Sequence, residues 1–80
     1  MIQKDKTVPN MHIGQRIKKV VKEREMTVVD FARALPCSRE NVYKLFRKDN
    51  IDVKHLSRIC LVLEHDFFLE LSECIQFLHM

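Results

Sequence analysis

The stretch LPCSRENVYKLF, residues 35–46, places Arg39, Glu40, Asn41, Tyr43 and Lys44 among the apolar Val42, Leu45 and Phe46. If the apolar three turn inward on a short helix, the other five share its wet side. Each has a definite use there. Arg bonds the O6 and N7 of guanine, Asn pairs with adenine, and Glu accepts from the amino group of cytosine. Tyr can set its ring against a thymine methyl or its hydroxyl on a phosphate, and Lys44 lies one turn beyond Glu40 on the same face. The plainer possibility is a solvated face with Glu40 and Lys44 paired at the i,i+4 spacing.

Other chemistries find little support. The sequence shows no phosphate-binding loop, no metal-ligand cluster and no nucleophile with an evident base partner, so no enzyme and no cofactor is expected. Cys37, Cys60 and Cys74 are odd in number and widely spaced, which suits neither a disulfide framework nor zinc and implies a reducing, cytoplasmic setting. His12, His55, His65 and His79 stand singly and read as ordinary surface or partly buried imidazoles. The start MIQKDKTVPN lacks the apolar core of a signal peptide, and no apolar run is long enough to span a bilayer.

Charge is divided unevenly. Residues 1–58 hold all 14 Lys and Arg against 7 Asp and Glu, a balance of +7, whereas residues 59–80 hold 4 acids and no Lys or Arg. A basic body that can meet a polyanion thus joins an acidic, apolar tail that would avoid one.

The elements that must position these side chains are helices. One Gly and two Pro in 80 residues, with apolar residues at intervals of three and four, predict an all-α chain forming a single domain. Residues 1–11 read as a loose, flexible N-terminal arm. A first helix is predicted over residues 12–24, with Ile13, Ile17, Val20 and Val21 as its apolar stripe. Three further helix starts carry the same device, an N-cap flanked by an apolar pair: Thr27 between Met26 and Phe31, Ser38 between Cys37 and Val42, Asp52 between Ile51 and Leu56. Asp30 adds a near capping box to the first of these. They open helices predicted over 28–35, 39–47 and 53–64, the last burying Leu56, Ile59, Cys60 and Leu63. A short fifth helix is predicted from about Asp66, burying Phe68 and Leu71.

Helices two and three are separated only by Pro36, Cys37 and Ser38, which forces a sharp angle between them. Apolar Phe31 and Leu35, the small Ala32 at the close approach, and apolar Val42 and Leu45 then follow in the order that a helix-turn-helix requires.

On the residues His-Ile-Gly-Gln-Arg-Ile-Lys (12–18), Thr-Val-Val-Asp-Phe-Ala (27–32), Cys-Ser-Arg-Glu-Asn-Val-Tyr-Lys-Leu-Phe (37–46) and Leu-Ser-Arg-Ile-Cys-Leu-Val-Leu (56–63), the chain resembles the lambda-repressor-like helix-turn-helix domains, in particular the XRE (Cro/C1-type) family of regulators. The resemblance spans about residues 12–72. It implies a compact five-helix DNA-binding domain that lays helix three in the major groove of double-stranded DNA. Three departures stand out. Pro36 occupies the place of a family glycine, so the turn is expected to take another path or helix two to end earlier. Val28 stands where many members have a phosphate-binding Gln. Val21 and Phe46 replace a family Arg and Glu pair.

The expected DNA contacts are Ser38, Arg39, Glu40, Asn41, Tyr43 and Lys44 on helix three, with Arg47, Lys48, Asn50 and Lys54 meeting phosphates. The expected function is sequence-specific transcriptional regulation, as a repressor. The alternative is a helix-turn-helix used as a protein-interaction or antitoxin-like module. Residues 73–80 read as an apolar C-terminal extension able to make a homodimer contact.

Overall fold

Each of the four turns that start a helix after the first has a side chain accepting a hydrogen bond from the backbone N–H three residues on. Thr27 Oγ1 accepts from Asp30, Ser38 Oγ from Asn41, Asp52 Oδ1 from His55 and Asp66 Oδ1 from Leu69, at 3.0, 3.1, 2.8 and 2.9 Å. These bonds satisfy donors that a helix start otherwise leaves unpaired, each cap contributing about 1 kcal/mol. Asp30 also accepts from the Thr27 N–H, which completes the capping box. Met26, Cys37 and Ile51 pack half-buried against the core, as the three staples require.

The computed structural model describes residues 12–78, with side chains described through residue 74. The predicted arm, residues 1–11, and the side chains of Ile75 and Phe77 lie outside the described residues. Five helices follow in order: α1 (Ile13–Glu23), α2 (Val28–Ala34), α3 (Arg39–Phe46), α4 (Val53–Leu63) and α5 (Phe67–Leu78). There is no strand among the described residues, and no helix among them is long and apolar enough to cross a membrane.

One core joins all five helices, with Ile17, Val20, Phe31, Val42, Ile59, Leu63 and Phe67 fully buried. Such side chains each contribute about 1.5–3 kcal/mol when withdrawn from water. The Phe31 and Phe46 rings stack across α2 and α3 with centroids 6.3 Å apart. Val21 and Phe46, the apolar replacements for the family's ion pair, are both buried.

The first turn of α1 abuts the end of α3. Gly14 donates its N–H to the Lys48 carbonyl at 2.9 Å, and Gln15 Nε2 donates to the Phe46 carbonyl at 2.9 Å. A Cβ at Gly14 would lie 2.5–2.6 Å from the carbonyl oxygens of Leu45, Phe46 and Lys48, so this approach requires glycine.

Three expectations are corrected. At the start of α5, Phe67 is buried whereas Phe68 is 37% exposed, because two adjacent aromatics cannot share one helix face. The helix is also not short: residues 73–78 continue α5. Cys60 is half-buried rather than part of the fully covered stripe of α4. Helix α2 does end one residue earlier than predicted, at Ala34, while the turn after it still follows the glycine path. Pro36 takes φ 26°, and the Cys37 N–H closes the helix end by bonding the Ala32 carbonyl at 2.9 Å. The bond that residue 36 would donate in such a cap is missing, since proline has no N–H.

Candidate nucleic-acid interface

Helix α3 is positioned from three sides. Its N-terminus is capped by Ser38, its inner stripe of Val42, Leu45 and Phe46 is buried, and its last carbonyls receive α1. The eight residues that remain helical therefore have one fixed orientation. Their outer side carries Arg39, Glu40, Asn41 and Lys44, all exposed, and Tyr43 at 50% exposure.

Among the described residues, ion pairs form at Arg16, His65 and Glu70 alone, so the i,i+4 pair of Glu40 and Lys44 does not form. The α3 charges point outward with their bonding capacity open. Ser38 is only partly available: its hydroxyl oxygen caps Asn41, which leaves the O–H to donate. Arg47 and Lys48 are exposed in the turn after α3, and Lys54 is exposed in the first turn of α4. Asn50 is turned sideways, its amide donating to Asp49 Oδ1 at 3.5 Å. Val28 packs half-buried against the core, so it offers no polar group where a phosphate contact is expected.

The structure brings two further residues beside these side chains. A depression of about 190 Å³ between α3 and α4 is rimmed by Asn41, Lys44, Lys48 and His55 over Leu35 and Leu45. A second, of about 280 Å³, is lined by Asp52, Lys54, His55 and Arg58. His55 belongs to both. Arg58 shares a face with Lys54 at i,i+4, a spacing readable in the sequence; the position of His55 beside α3 is tertiary and is not.

A different arrangement holds the far side. Arg16 donates to both carboxylate oxygens of Glu70, at 2.9 and 2.8 Å, and His65 Nε2 bonds the same carboxylate. The hydrogen bond from Arg16 holds the Glu70 carboxyl below its usual range, against the opposing effect of burial. Arg24 donates from Nε to the Leu63 carbonyl and from Nη2 to the Glu64 carbonyl, both at 2.8 Å, closing the end of α4. Neither set was anticipated from sequence, since Arg16 meets Glu70 from 54 positions away and Arg24 meets Leu63 and Glu64 from 39 and 40.

No group of three or more His, Cys, Asp or Glu among the described residues is placed to hold a metal ion. Residues 16–75 match the family described as the Cro/C1-type helix-turn-helix DNA-binding domain. No curated protein matches the chain, and no solved structure does.

Proposed function

The chain belongs to the Cro/C1-type helix-turn-helix DNA-binding domains, and from that membership we propose that it is a sequence-specific transcriptional regulator, acting as a repressor, that lays α3 in the major groove of double-stranded DNA. The observation that carries this reading is the outer side of α3, where Arg39, Glu40, Asn41, Tyr43 and Lys44 stand exposed on a helix whose inner side is locked into the core. In this reading Arg39, Glu40 and Asn41 meet base edges from the N-terminal part of the helix. Arg47, Lys48 and Lys54 hold the register by meeting phosphates on either side. The protein acts by occupying its site rather than by catalysis, and it works in the cytoplasm.

Selection of bound sequences from a random duplex library tests the proposal. A recovered motif together with affinity that falls steeply with salt supports it. Salt-insensitive binding to a protein, with no enrichment of any DNA sequence, would favour an interaction module instead.

We further propose a homodimer. Leu61 is 79% and Leu69 54% exposed, both in the segment that carries no Lys or Arg. Apolar surface of this kind suits a twofold contact. An axis along α5 would keep the acidic segment off the duplex and let two copies read half-sites about 34 Å apart. Light scattering tests this: a mass of one chain at tens of micromolar, on the order of a typical assay concentration, would exclude the dimer.

A further inference from the structure

His55 is the residue at which the two depressions beside α3 and α4 meet. Its backbone is fixed, because its N–H bonds the Asp52 cap at 2.8 Å, and its ring is half-buried between the two helices. Among the described residues neither ring nitrogen has a hydrogen-bond partner.

The charged groups around it are cations but for one acid. Lys44 faces it from α3, Lys48 from the turn after α3, and Lys54 and Arg58 from its own helix; Cys37 and Asn41 supply the uncharged groups on that rim. The one acid is Asp52, and its Oδ1 already accepts from the His55 N–H. Four cations against a single acid leave a net positive charge with room for an anion from outside. The same surface contains Lys44, Lys48 and Lys54, which the DNA-binding reading places against the duplex.

Resting on that reading, we infer that His55 contacts a phosphate of the duplex and that DNA binding takes up one proton from solvent at its imidazole. Imidazole is the side chain whose charge ordinarily changes near neutrality, at about pH 6.5. A phosphodiester oxygen beside it favours the doubly protonated ring, whose two N–H groups are both donors. The proton appears in the binding equilibrium as an affinity that rises as pH falls.

Binding of the full chain to a mixed-sequence DNA duplex is measured by fluorescence anisotropy at low, constant salt from about pH 6 to about pH 8. Wild-type affinity is expected to rise about three- to tenfold toward acid, within the limit of about tenfold per pH unit set by one proton. His55→Gln is expected to flatten the profile. His55→Lys, with a fixed charge, is expected to flatten it at the affinity that wild type reaches in acid. An undiminished slope in His55→Gln would assign the proton elsewhere and overturn the inference. So would a wild-type profile without slope, with DNA binding itself intact. A wild type that binds no duplex at any pH would remove both this inference and the reading beneath it.

Discussion

Along the seam of α1, α4 and α5, Arg16 and Arg24 bond Glu70 and the carbonyls of Leu63 and Glu64, whereas along α3 Arg39, Glu40 and Lys44 extend into solvent without an ion-pair partner among the described residues. The residue types are the same on both sides, but the acceptors differ. At the seam the fold itself supplies a carboxylate and two helix-end carbonyls, so the arginines are used up in holding helices together. At α3 the inner stripe of Val42, Leu45 and Phe46 does all the packing, and the outer charges add little to stability. The two sides should therefore answer mutation differently: the seam and the α1–α3 contact through stability, the outer face of α3 through binding.

The largest effect is expected where α3 is held. Gly14→Ala places a methyl group within 2.5–2.6 Å of three backbone oxygens that cannot move without shifting the end of α3. The cost should be about 3 kcal/mol of stability, from overpacking and a weakened bond to Lys48. Chemical denaturation checks this, and a variant as stable as wild type would mean that α1 does not seat α3 as described.

Next comes the outer face. Arg39→Ala or Asn41→Ala should lose about 1–3 kcal/mol of binding to the selected DNA sequence, with random DNA bound much as before and with unchanged unfolding. Equal losses on selected and random DNA would make these residues phosphate contacts. A fall in melting temperature instead would erase the contrast with the seam.

A smaller effect is expected at the seam itself. The ordinary glutamate value is 4.5, and the bond from Arg16 holds Glu70 lower in the folded chain. The pair's contribution is therefore complete above about pH 4.5 and disappears as pH falls through the depressed folded value. Glu70→Gln should lower stability by about 1 kcal/mol near neutrality and flatten the acid limb of the stability profile, while leaving DNA binding unchanged. An acid limb as steep as that of wild type would show that other carboxyls set it.

The elements of the fold were legible because their signals are local. An N-cap, its apolar staple and a helical stripe lie within a few residues of one another, and Thr27, Ser38 and Asp52 each fixed a helix start. Asp66 belongs to the same class, but its flanking pair is His65 and Glu70, a polar bond in the place of an apolar staple. The periodicity of α5 does not say which of Phe67 and Phe68 turns inward, and no local pattern says that Arg16 meets Glu70 from 54 residues away. Gly14 carried a usable signal, as a lone glycine inside a predicted helix that costs helix stability unless something must come close. The exposed set on α3 was legible residue by residue, and Arg58 was readable from its spacing to Lys54; that α4 brings His55 beside α3 depends on packing.

The smallest effect separates the turn of the helix-turn-helix from the helix ends at the seam. Helices α1, α2 and α4 all end near a residue of positive φ that is not glycine: Glu25 at 59°, Pro36 at 26° and Glu64 at 51°. The two glutamates lie close to the ordinary left-handed region and keep their backbone donors, with the Glu25 N–H on the Lys22 carbonyl at 2.9 Å and the Glu64 N–H on that of Cys60. Pro36 does neither. Its ring favours φ near about −65°, and it has no N–H for the Arg33 carbonyl. Pro36→Gly should relieve strain on the order of 1–3 kcal/mol and restore that donor. Against this, losing proline and gaining glycine both free the unfolded chain, at a combined cost of about 1–2 kcal/mol. The net expectation is a gain of about 0.5–1 kcal/mol, with α3 still oriented by Gly14 and the core, so that DNA affinity stays constant. Glu25→Gly and Glu64→Gly, which recover no hydrogen bond, should gain less. If Pro36→Gly proves destabilising while both glutamate variants gain, the rigidity of proline in the unfolded chain outweighs the strain in the turn, and residue 36 is stabilising because it is proline.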